Sequence, residues 1–486
     1  MKQYEKLVHR KLLSLVSPMI SSQQHGFLPN RSCQTQMVAF VDSLHLSLNS
    51  GHHVDIVYFD FAKAFDSVNH DTLLLKIKNT FKINGKLLQF LKCYLSGRKQ
   101  RVVIGNSFSN LCDVLSGVPQ GSIVGPLLFV LFINDIGEGI SENTNLLMYA
   151  DDTKMWRTIH SDSDNTILQN DIDHLLNWAN RNKMKFNTDK CKILPVTRKY
   201  NIGNSQFVYK LGPDLIKYTD EEKDLGVYIT SKANFTSHCD KIYKKANSRL
   251  ALTKRSCHFV KNIPQKRTLY LAMTRSLFEH CSVVWNPCNV STVTKLESLQ
   301  KRSIKWILGE EYCSYSSLDY FIRCRKLQVL PLKQKLILND LVFLHSIING
   351  LIKAPLLPNY LSFFQPSARR VLRSCHLDSL SLVSSVCPQI SPSYSKNSVG
   401  GSEYKVFGNS FFYRSHLLWN RLPLGIREII KPTLFKSNVV KYLWEVGFSE
   451  VIEGYEDQEL PLMSRITTPP PPSLLLDKFQ LPSGTE

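Results

Sequence analysis

Short apolar runs and helically spaced segments alternate over the first 230 residues, which indicates a mixed α/β region. Residues 54–61 (VDIVYFDF) form an apolar run of strand length that ends next to an aspartate, and helical spacing follows in AKAFDSVNHDTLLLKI. Residues 146–156 (LLMYADDTKMW) place apolar runs on either side of two adjacent aspartates. This pattern predicts a strand, a tight turn and a second strand, with Asp151 and Asp152 at the tip.

Further helices are predicted around these strands. Asn69 stands where it would cap a helix, and residues 126–136 are a very apolar helix candidate. Residues 84–112 predict a helix followed by a hairpin. From about residue 235 the pattern becomes helical, because apolar residues recur at i and i+4 between lysines: Ile242, Ala246 and Leu250.

Charge is distributed unevenly along the 486 residues. The formal net charge is +20, and residues 231–330 alone carry 18 Lys and Arg against 6 Asp and Glu. Residues 445–486 carry 2 basic and 8 acidic residues. A concentrated basic segment is typical of a chain with a polyanionic partner, and a solvated basic surface is the alternative interpretation.

The cysteines and the apolar runs bear on the compartment. Twelve cysteines are scattered without a CxxC pair, and no signal-peptide pattern begins the sequence. We therefore expect an intracellular protein of the nucleus or cytoplasm that is not secreted. The longest apolar stretch, residues 125–133, is far shorter than the roughly 20 residues of a membrane helix, so no membrane partner is expected. Four adjacent His–Cys pairs lack zinc-finger spacing, so no zinc site is expected.

Three aspartates on the two predicted strands form the main candidate site. Adjacent carboxylates repel each other and persist best where a divalent cation neutralises them. Asp60, Asp151 and Asp152 suit Mg²⁺, which prefers oxygen ligands and often binds carboxylates together with substrate phosphates. Two such ions make a phosphoryl-transfer site. Any one of the three alone is better explained as a turn residue or a helix cap.

Five sequence blocks in order resemble those of non-LTR (LINE-type) retrotransposon reverse transcriptases. FDFAKAFDSV is similar to the first catalytic block of that family, SGVPQGSIVGPLLFVLFINDI to the second and YADD to the third. KMKFNTDKCKIL and KDLGVYIT are similar to the blocks that end the palm, the latter being the primer grip. The resemblance implies an α+β fold, a right-hand polymerase palm with an antiparallel sheet, partial fingers, a helical thumb and a helical C-terminal region.

RNA-directed DNA synthesis at two metal ions is the activity that this resemblance implies, with Mg²⁺ bound and Mn²⁺ as an alternative. Asp60, Asp151 and Asp152 are then the catalytic metal ligands, and Phe61 adds its main-chain carbonyl. The implied partners are an RNA template, a DNA primer or target, and dNTPs.

Nucleotide contacts are also implied. Phe65 lies where the family places a ring that blocks a ribose 2′-hydroxyl, and a core aromatic is the alternative. Gln120 and Gly121 resemble the loop that contacts the incoming nucleotide and the template, with a plain turn as the alternative. Lys190 or Lys192 is the candidate cation near the departing pyrophosphate, and a solvated lysine is the alternative.

Primer and duplex contacts complete the implied site. Leu225 and Gly226 match the primer grip in type and order. The basic segment 241–275 is expected to contact phosphates, which adds affinity without reading sequence. The candidate residues for this contact are Lys241, Lys244, Lys245, Arg249, Lys254 and Arg255. An RNA/DNA hybrid is recognised chiefly by shape and backbone, which suits such a surface.

The predicted domain order follows the blocks. We expect partial fingers over residues 1–53, the palm with part of the fingers over 54–230, and a basic helical thumb and extension over 231–345. A poorly defined C-terminal region (346–445) and an acidic, Pro-rich, disordered tail (446–486) follow. The endonuclease domain and first fingers blocks of the family would precede the text at Met1, so an N-terminally truncated enzyme is expected.

Two rival interpretations stay open. The chain is alternatively a catalytically impaired nucleic-acid-binding remnant, which would bind a hybrid without extending a primer. An intron-encoded, maturase-like reverse transcriptase is the other alternative, and it would assist splicing. The sequence does not indicate the oligomeric state or the target site.

Overall fold

The structure is a computed structural model that describes residues 2–197, 207–287, 289–309, 317–352, 361–363, 382–384 and 410–452. The described residues fall into two units. The first is built from residues of 1–238 and 350–360, and the second from residues of 239–349 and 361–486. The break between units follows residue 238, whereas the sequence places the end of the palm at residue 230.

The strands of the first unit are, in chain order, β1 (His53–Phe59), β2 (Lys99–Gln100), β3 (Val103–Ile104), β4 (Ser107–Phe108), β5 (Cys112–Asp113), β6 (Thr144–Tyr149), β7 (Asp152–Ile159), β8 (Lys192–Val196), β9 (Lys210–Leu211), β10 (Asp214–Leu215), β11 (Lys217–Tyr218), β12 (Glu221–Asp224) and β13 (Val227–Thr230). Its helices are α1 (Lys2–Val16), α2 (Cys33–Asn49), α3 (His70–Asn79), α4 (Gly85–Leu95), α5 (Gly125–Ile133) and α6 (Asp162–Arg181). Helix α7 (Thr236–Ser256) crosses the break between the two units.

A five-stranded sheet lies at the centre of the first unit, in the order β11–β8–β1–β7–β6. The pairs β1–β7, β1–β8 and β6–β7 are antiparallel, as predicted, but β11 pairs with β8 in parallel. The sheet is therefore mixed, and the prediction of an antiparallel sheet was wrong at this edge. A strand of only two residues, such as β11, carries too little periodicity to be predicted with its direction.

The predicted apolar runs form strands and helices that are buried on more than one face. In β1, residues 54–57 are all buried, including Asp55, whose carboxylate accepts hydrogen bonds from Tyr209 (2.8 Å) and Asn165 (3.2 Å). Helix α5 is buried along almost its entire length, as its composition predicts. Asn69 caps α3 by accepting from the Thr72 amide (3.0 Å), which confirms that prediction.

The second unit is largely helical. Its elements are α8 (Ile263–Tyr270), α9 (Ser276–Glu279), α10 (Ser282–Trp285), α11 (Val290–Leu308), α12 (Ser317–Lys326), α13 (Leu332–Ile348), β14 (Leu361–Phe363), β15 (Leu382–Ser384), α14 (Phe411–Asn420), α15 (Leu424–Arg427) and α16 (Pro432–Ile452). A π-helical turn (Leu271–Arg275) joins α8 to α9. Within the described ranges, every helix is too short or too polar to cross a bilayer.

The C-terminal end of the described chain differs from expectation. Helix α16 runs to Ile452, seven residues into the segment predicted as a disordered tail, and the remainder of that tail (453–486) lies outside the described residues. Most of the region 346–409 lies outside them as well. On α7, the predicted apolar seam of Ile242, Ala246 and Leu250 is buried.

Candidate active site

The β6–β7 hairpin carries two of the three candidate carboxylates at its tip. Tyr149 pairs with Asp152, so the connecting loop is the two residues Ala150 and Asp151. Ala150 has a φ of +59°, a left-handed conformation that two-residue hairpin loops require but that a residue with a Cβ adopts at a cost. The predicted strand–turn–strand is thus present, and its tip is conformationally strained.

Asp60 lies directly beside this tip. Phe59, the last residue of β1, pairs with Thr153 of β7. Continuing this antiparallel register by one residue sets Asp60 opposite Asp152, at a spacing where side chains on adjacent strands interact. The carbonyl of Asp60 also accepts from the Asn187 amide (2.7 Å), and the Ala62 amide donates to Lys185 (2.8 Å). These two bonds hold the backbone on either side of Phe61.

The carboxylates at the tip disturb one another electrostatically. Partial burial, together with the negative charges of Asp151, Asp224 and Asp60, raises the pKa of Asp152 to about 6, and the positive charge of Lys154 opposes this rise. Burial, together with the charge of Asp60, also raises the pKa of Asp151. Crowded carboxylates with raised pKa values are a site where bound positive charge is favourable.

A cavity of about 300 Å³ opens in front of these residues. Asp60 and Asp152 lie on its wall, and Asp151 does not. Further charged or turn residues share the wall, among them Lys154, Lys190, Asp224 and Leu225. The structure therefore brings together predicted site residues from four separate sequence blocks, and it adds Lys154 and Asp224 to them.

The donor set fits a hard divalent cation in its chemistry. Carboxylate oxygens are the ligands that Mg²⁺ prefers, and the mutual repulsion of Asp60, Asp151 and Asp152 is what such an ion would relieve. Across the described ranges, no three His, Cys, Asp or Glu side chains stand close enough to hold a metal as they are. One ion shared by all three carboxylates would therefore require these side chains to rotate towards one another.

The two candidate lysines have different partners. The ammonium of Lys190 lies 3.3 Å from a carboxylate oxygen of Asp60, and both side chains are partly exposed. Lys192 lies 3.4 Å from Glu222 instead. Both lysines line the cavity, and Lys190 is the one in contact with a candidate metal ligand.

The predicted nucleotide loop is attached to the turn that follows Asp60. The Val118 amide donates to the Phe65 carbonyl (2.9 Å), and the side-chain amide of Gln120 donates to Asp66 (2.8 Å). Gly121 has a φ of +77°. The half-buried ring of Phe65 stacks on Phe129 with centroids 4.4 Å apart. This position is compatible both with a core aromatic and with the predicted contact to the nucleotide.

Leu225 and Gly226 form the turn of the β12–β13 hairpin. Asp224 pairs with Val227, and φ is +44° at Leu225 and +89° at Gly226. A leucine in this region is strained, because such turns favour Asn or Gly at their first central position. Leu225 lines the cavity that holds Asp60 and Asp152.

The strained tip is held by a clamp formed by residues 24–26, which lie within the predicted partial fingers (1–53). The buried side-chain carbonyl of Gln24 accepts from the Ala150 amide (2.9 Å) and from the Gly26 amide (2.7 Å). The His25 amide donates to the Met148 carbonyl (2.8 Å), and Gln24 and Met148 form an isolated parallel β-bridge. No local sequence signal predicts a contact across 126 residues.

We expect Gly26→Ala to damage this clamp. A Cβ at residue 26 would lie 2.5 Å from the Ala150 amide nitrogen and 3.0 Å from the Tyr149 carbonyl carbon, so the backbone itself must shift. The expected loss is about 1–3 kcal/mol of the free energy of unfolding, as for other overpacked positions. Gly425→Ala, where nothing lies within 4 Å of the added Cβ, is the control. Equal urea denaturation midpoints for the two variants would contradict the clamp.

The predicted phosphate contacts lie on α7, which belongs mostly to the second unit. Lys244, Lys245, Arg249 and Arg255 are exposed, whereas Lys241 and Lys254 are half-buried. Burial and the nearby charge of Arg302 on α11 lower the pKa of Lys254.

One basic residue of the segment 241–275 cannot face a phosphate. Arg275 is buried and donates to Gln300, to the Leu330 carbonyl (3.2 Å) and to Glu279 (3.1 Å). Arg275 is therefore not among the residues of this segment that can contact a phosphate, because a buried guanidinium needs its partners inside the fold.

Comparisons with known proteins give a family match within the first unit. Residues 1–219 match the family model described as reverse transcriptase (RNA-dependent DNA polymerase). The chain is 25% identical over 327 residues to the probable RNA-directed DNA polymerase from transposon X-element of Drosophila melanogaster, covering 64% of this chain and 35% of that protein. It thus spans about a third of that relative's length.

Two further similarities extend the comparison. The chain is 28% identical over 259 residues to the RNA-directed DNA polymerase from mobile element jockey of Drosophila melanogaster, covering 51% of this chain and 28% of that protein. Among solved structures, the apo telomerase from Candida tropicalis is similar with a TM-score of 0.38 and 9% identity, over 72% of this chain and 58% of that one.

Proposed function

Because residues 1–219 are a reverse transcriptase domain, distantly homologous to those of the non-LTR retrotransposons jockey and X-element, we propose that this chain is an RNA-directed DNA polymerase of the LINE type. It extends a DNA primer on an RNA template inside the cell. In this proposal the five-stranded sheet is the palm, the residues before it are partial fingers, and the basic helices from 231 to 345 are the thumb.

The observation that carries the proposal is the juxtaposition of Asp60 with Asp152 on the wall of one cavity, next to Asp151. These carboxylates and the Phe61 carbonyl would hold two Mg²⁺ ions, with Mn²⁺ as a substitute. The ions, when bound, activate the primer 3′-hydroxyl and neutralise the charge of the leaving pyrophosphate.

The protein's own residues position the reactants. Lys190, which is already beside Asp60, would exchange that carboxylate for the phosphates of the incoming nucleotide. Phe65 would exclude a ribose 2′-hydroxyl, and Gln120 and Gly121 would contact the nucleotide and template. The Leu225–Gly226 turn, of which Leu225 lines the cavity, would support the primer end.

The direct test is extension of a DNA primer on an RNA template by the whole chain, with Mg²⁺ and dNTPs. Product that lengthens with time and disappears on chelation of the metal supports the proposal. Salt-sensitive binding of the hybrid without extension would instead identify a catalytically impaired, nucleic-acid-binding chain.

The exposed cations of α7 supply a separate prediction. Hybrid binding is expected to weaken when glutamine replaces all four of these exposed residues at once: Lys244, Lys245, Arg249 and Arg255. Each lost phosphate contact should also reduce the slope of log K against log [salt] by roughly 0.7–0.9. The control removes four exposed lysines from the first unit (Lys78, Lys82, Lys86 and Lys92). Equal slopes for the two variants, measured by fluorescence anisotropy, would contradict the assignment to α7.

A further inference from the structure

A buried ion pair joins the catalytic strand to the proposed primer turn. Lys154 lies on β7 two residues after Asp152, and side chains two residues apart on a strand share a face. Its ammonium donates to the carboxylate of Asp224, the residue immediately before Leu225. Only 3% and 6% of these two side chains are exposed.

The β12–β13 hairpin is joined to the five-stranded sheet by contacts other than strand pairing. In the described part of the chain, β12 and β13 pair only with each other and not with the five-stranded sheet. At the far end of the hairpin, the Thr197 amide donates to the Ser231 carbonyl (2.9 Å). Near the turn, contacts with the sheet include the partly exposed Lys192–Glu222 pair and the buried Lys154–Asp224 pair.

The lysine is held from more than one side. Its ammonium lies 4.4 Å from the centroid of the Phe40 ring and 3.4 Å from the sulfur of Met37, both on α2. Three elements, α2, β7 and β12, therefore converge on one charge. A buried ion pair seldom stabilises a fold more than apolar side chains of similar volume would. Its presence here is therefore better explained by a need to fix the position of β12 relative to β7.

We propose that the Lys154–Asp224 pair positions the Leu225–Gly226 turn relative to Asp60 and Asp152, and thereby sets where the primer 3′ end stands. Lys154 and Asp224 are positioning residues, since they act through the turn and the metal-binding carboxylates. The inference rests on the proposed function. The strain at Leu225 accords with it, because a left-handed leucine persists only where the surroundings fix it.

The test replaces the pair with apolar side chains, in the variant Lys154→Met/Asp224→Leu. We expect it to fold, since no unpaired charge is left buried. We expect kcat for adding the first nucleotide to fall by about 100-fold, as a misplacement of roughly 1 Å can cause. The dissociation constant of the hybrid should not change. Asp224→Glu keeps the charge but is one methylene longer, and it should lower kcat in the same way.

Arg157→Met is the matched control, because Arg157 is a buried cation on the same strand whose partner, Asp164 (2.8 Å), does not line the cavity. It should lower the melting temperature without lowering kcat. A double variant that extends primers at the parental rate would overturn the inference, as would a control that loses kcat equally.

A second readout does not depend on turnover. A primer with 4-thiothymidine at its 3′ end should cross-link to residues 225–226 in the parent, and this cross-link should be lost in the double variant at full hybrid occupancy. A parent that cross-links at the turn but extends nothing would contradict the proposed function alone. A parent that cross-links elsewhere, or a double variant that keeps the cross-link, would contradict the positioning role.

Discussion

Replacing both Asp151 and Asp152 with asparagine is expected to reduce primer extension by at least about 10³-fold. Asparagine keeps the shape of the side chain but removes the charge that holds a divalent cation. Metal stabilisation of a transition state is worth several kcal/mol, and each 1.36 kcal/mol is tenfold in rate. The rate is measured as single-nucleotide addition at saturating hybrid, dNTP and Mg²⁺.

The same variant should be more stable than its parent in the absence of metal. In the folded chain the pKa of Asp152 is raised to about 6 from an ordinary value of 3.8, so the charged carboxylate is disfavoured there. Its cost to stability is fully present above pH 6 and disappears below about pH 4. The gain in melting temperature should therefore be largest at pH 7–8 and shrink as the pH falls.

Asp173→Asn serves as the control for both measurements. Asp173 is exposed on α6 and accepts from Gln169 one turn earlier (3.0 Å), away from the cavity. This change should leave the rate and the melting temperature nearly as they are. If the double variant still extends primers at the parental rate, the two-metal proposal fails. If it shows no gain in metal-free stability, the electrostatic crowding is absent.

The residues of the hairpin tip could be predicted because the signal is local. Two apolar runs of strand length on either side of adjacent aspartates are typical of a hairpin, and β6, the turn and β7 form one. The proximity of Asp60 required one further step, that its run pairs with the hairpin. That step followed from the expectation that adjacent carboxylates bind a divalent cation together with a third carboxylate nearby, and the β1–β7 register agrees with it.

The supports of the site could not be predicted, because they join distant parts of the chain. Gln24 contacts Ala150 across 126 residues, and Lys154 contacts Asp224 across 70. A lysine inside an apolar strand such as β7 signals that a partner exists without saying which one. Arg275 shows the converse: a basic segment suggested a surface, but the π-helical turn points this side chain into the core.

The direction of β11 was missed for a related reason. Its two residues follow the small β9–β10 hairpin, and the chain returns to β8 in the parallel direction after it. Which way so short a strand pairs depends on the path of the preceding loop. Hydrophobic periodicity contains no information on that path.

Asp340→Ala is expected to destabilise the second unit by about 3–5 kcal/mol. Asp340 on α13 is fully buried and accepts two hydrogen bonds from Arg414 of α14, at 2.8 and 3.2 Å, and one from Asn286 at 2.7 Å. Truncation leaves the Arg414 guanidinium buried without its carboxylate, and breaking a buried pair from one side costs this much. The free energy is measured by urea denaturation.

A matched exposed pair separates burial from charge. Asp240 pairs with Lys295 in the same unit, but nearly half of each side chain is exposed, so Asp240→Ala should cost less than about 1 kcal/mol. The double change Asp340→Leu/Arg414→Met should recover most of the loss, since it removes both buried charges. If Asp340→Ala costs no more than Asp240→Ala, then α14 does not depend on this pair for its place against α13. Other contacts would then hold the helices after residue 410, such as the edge-to-face contact of Phe343 with Phe411 and the hydrogen bond between His345 and the Ile429 carbonyl (2.7 Å).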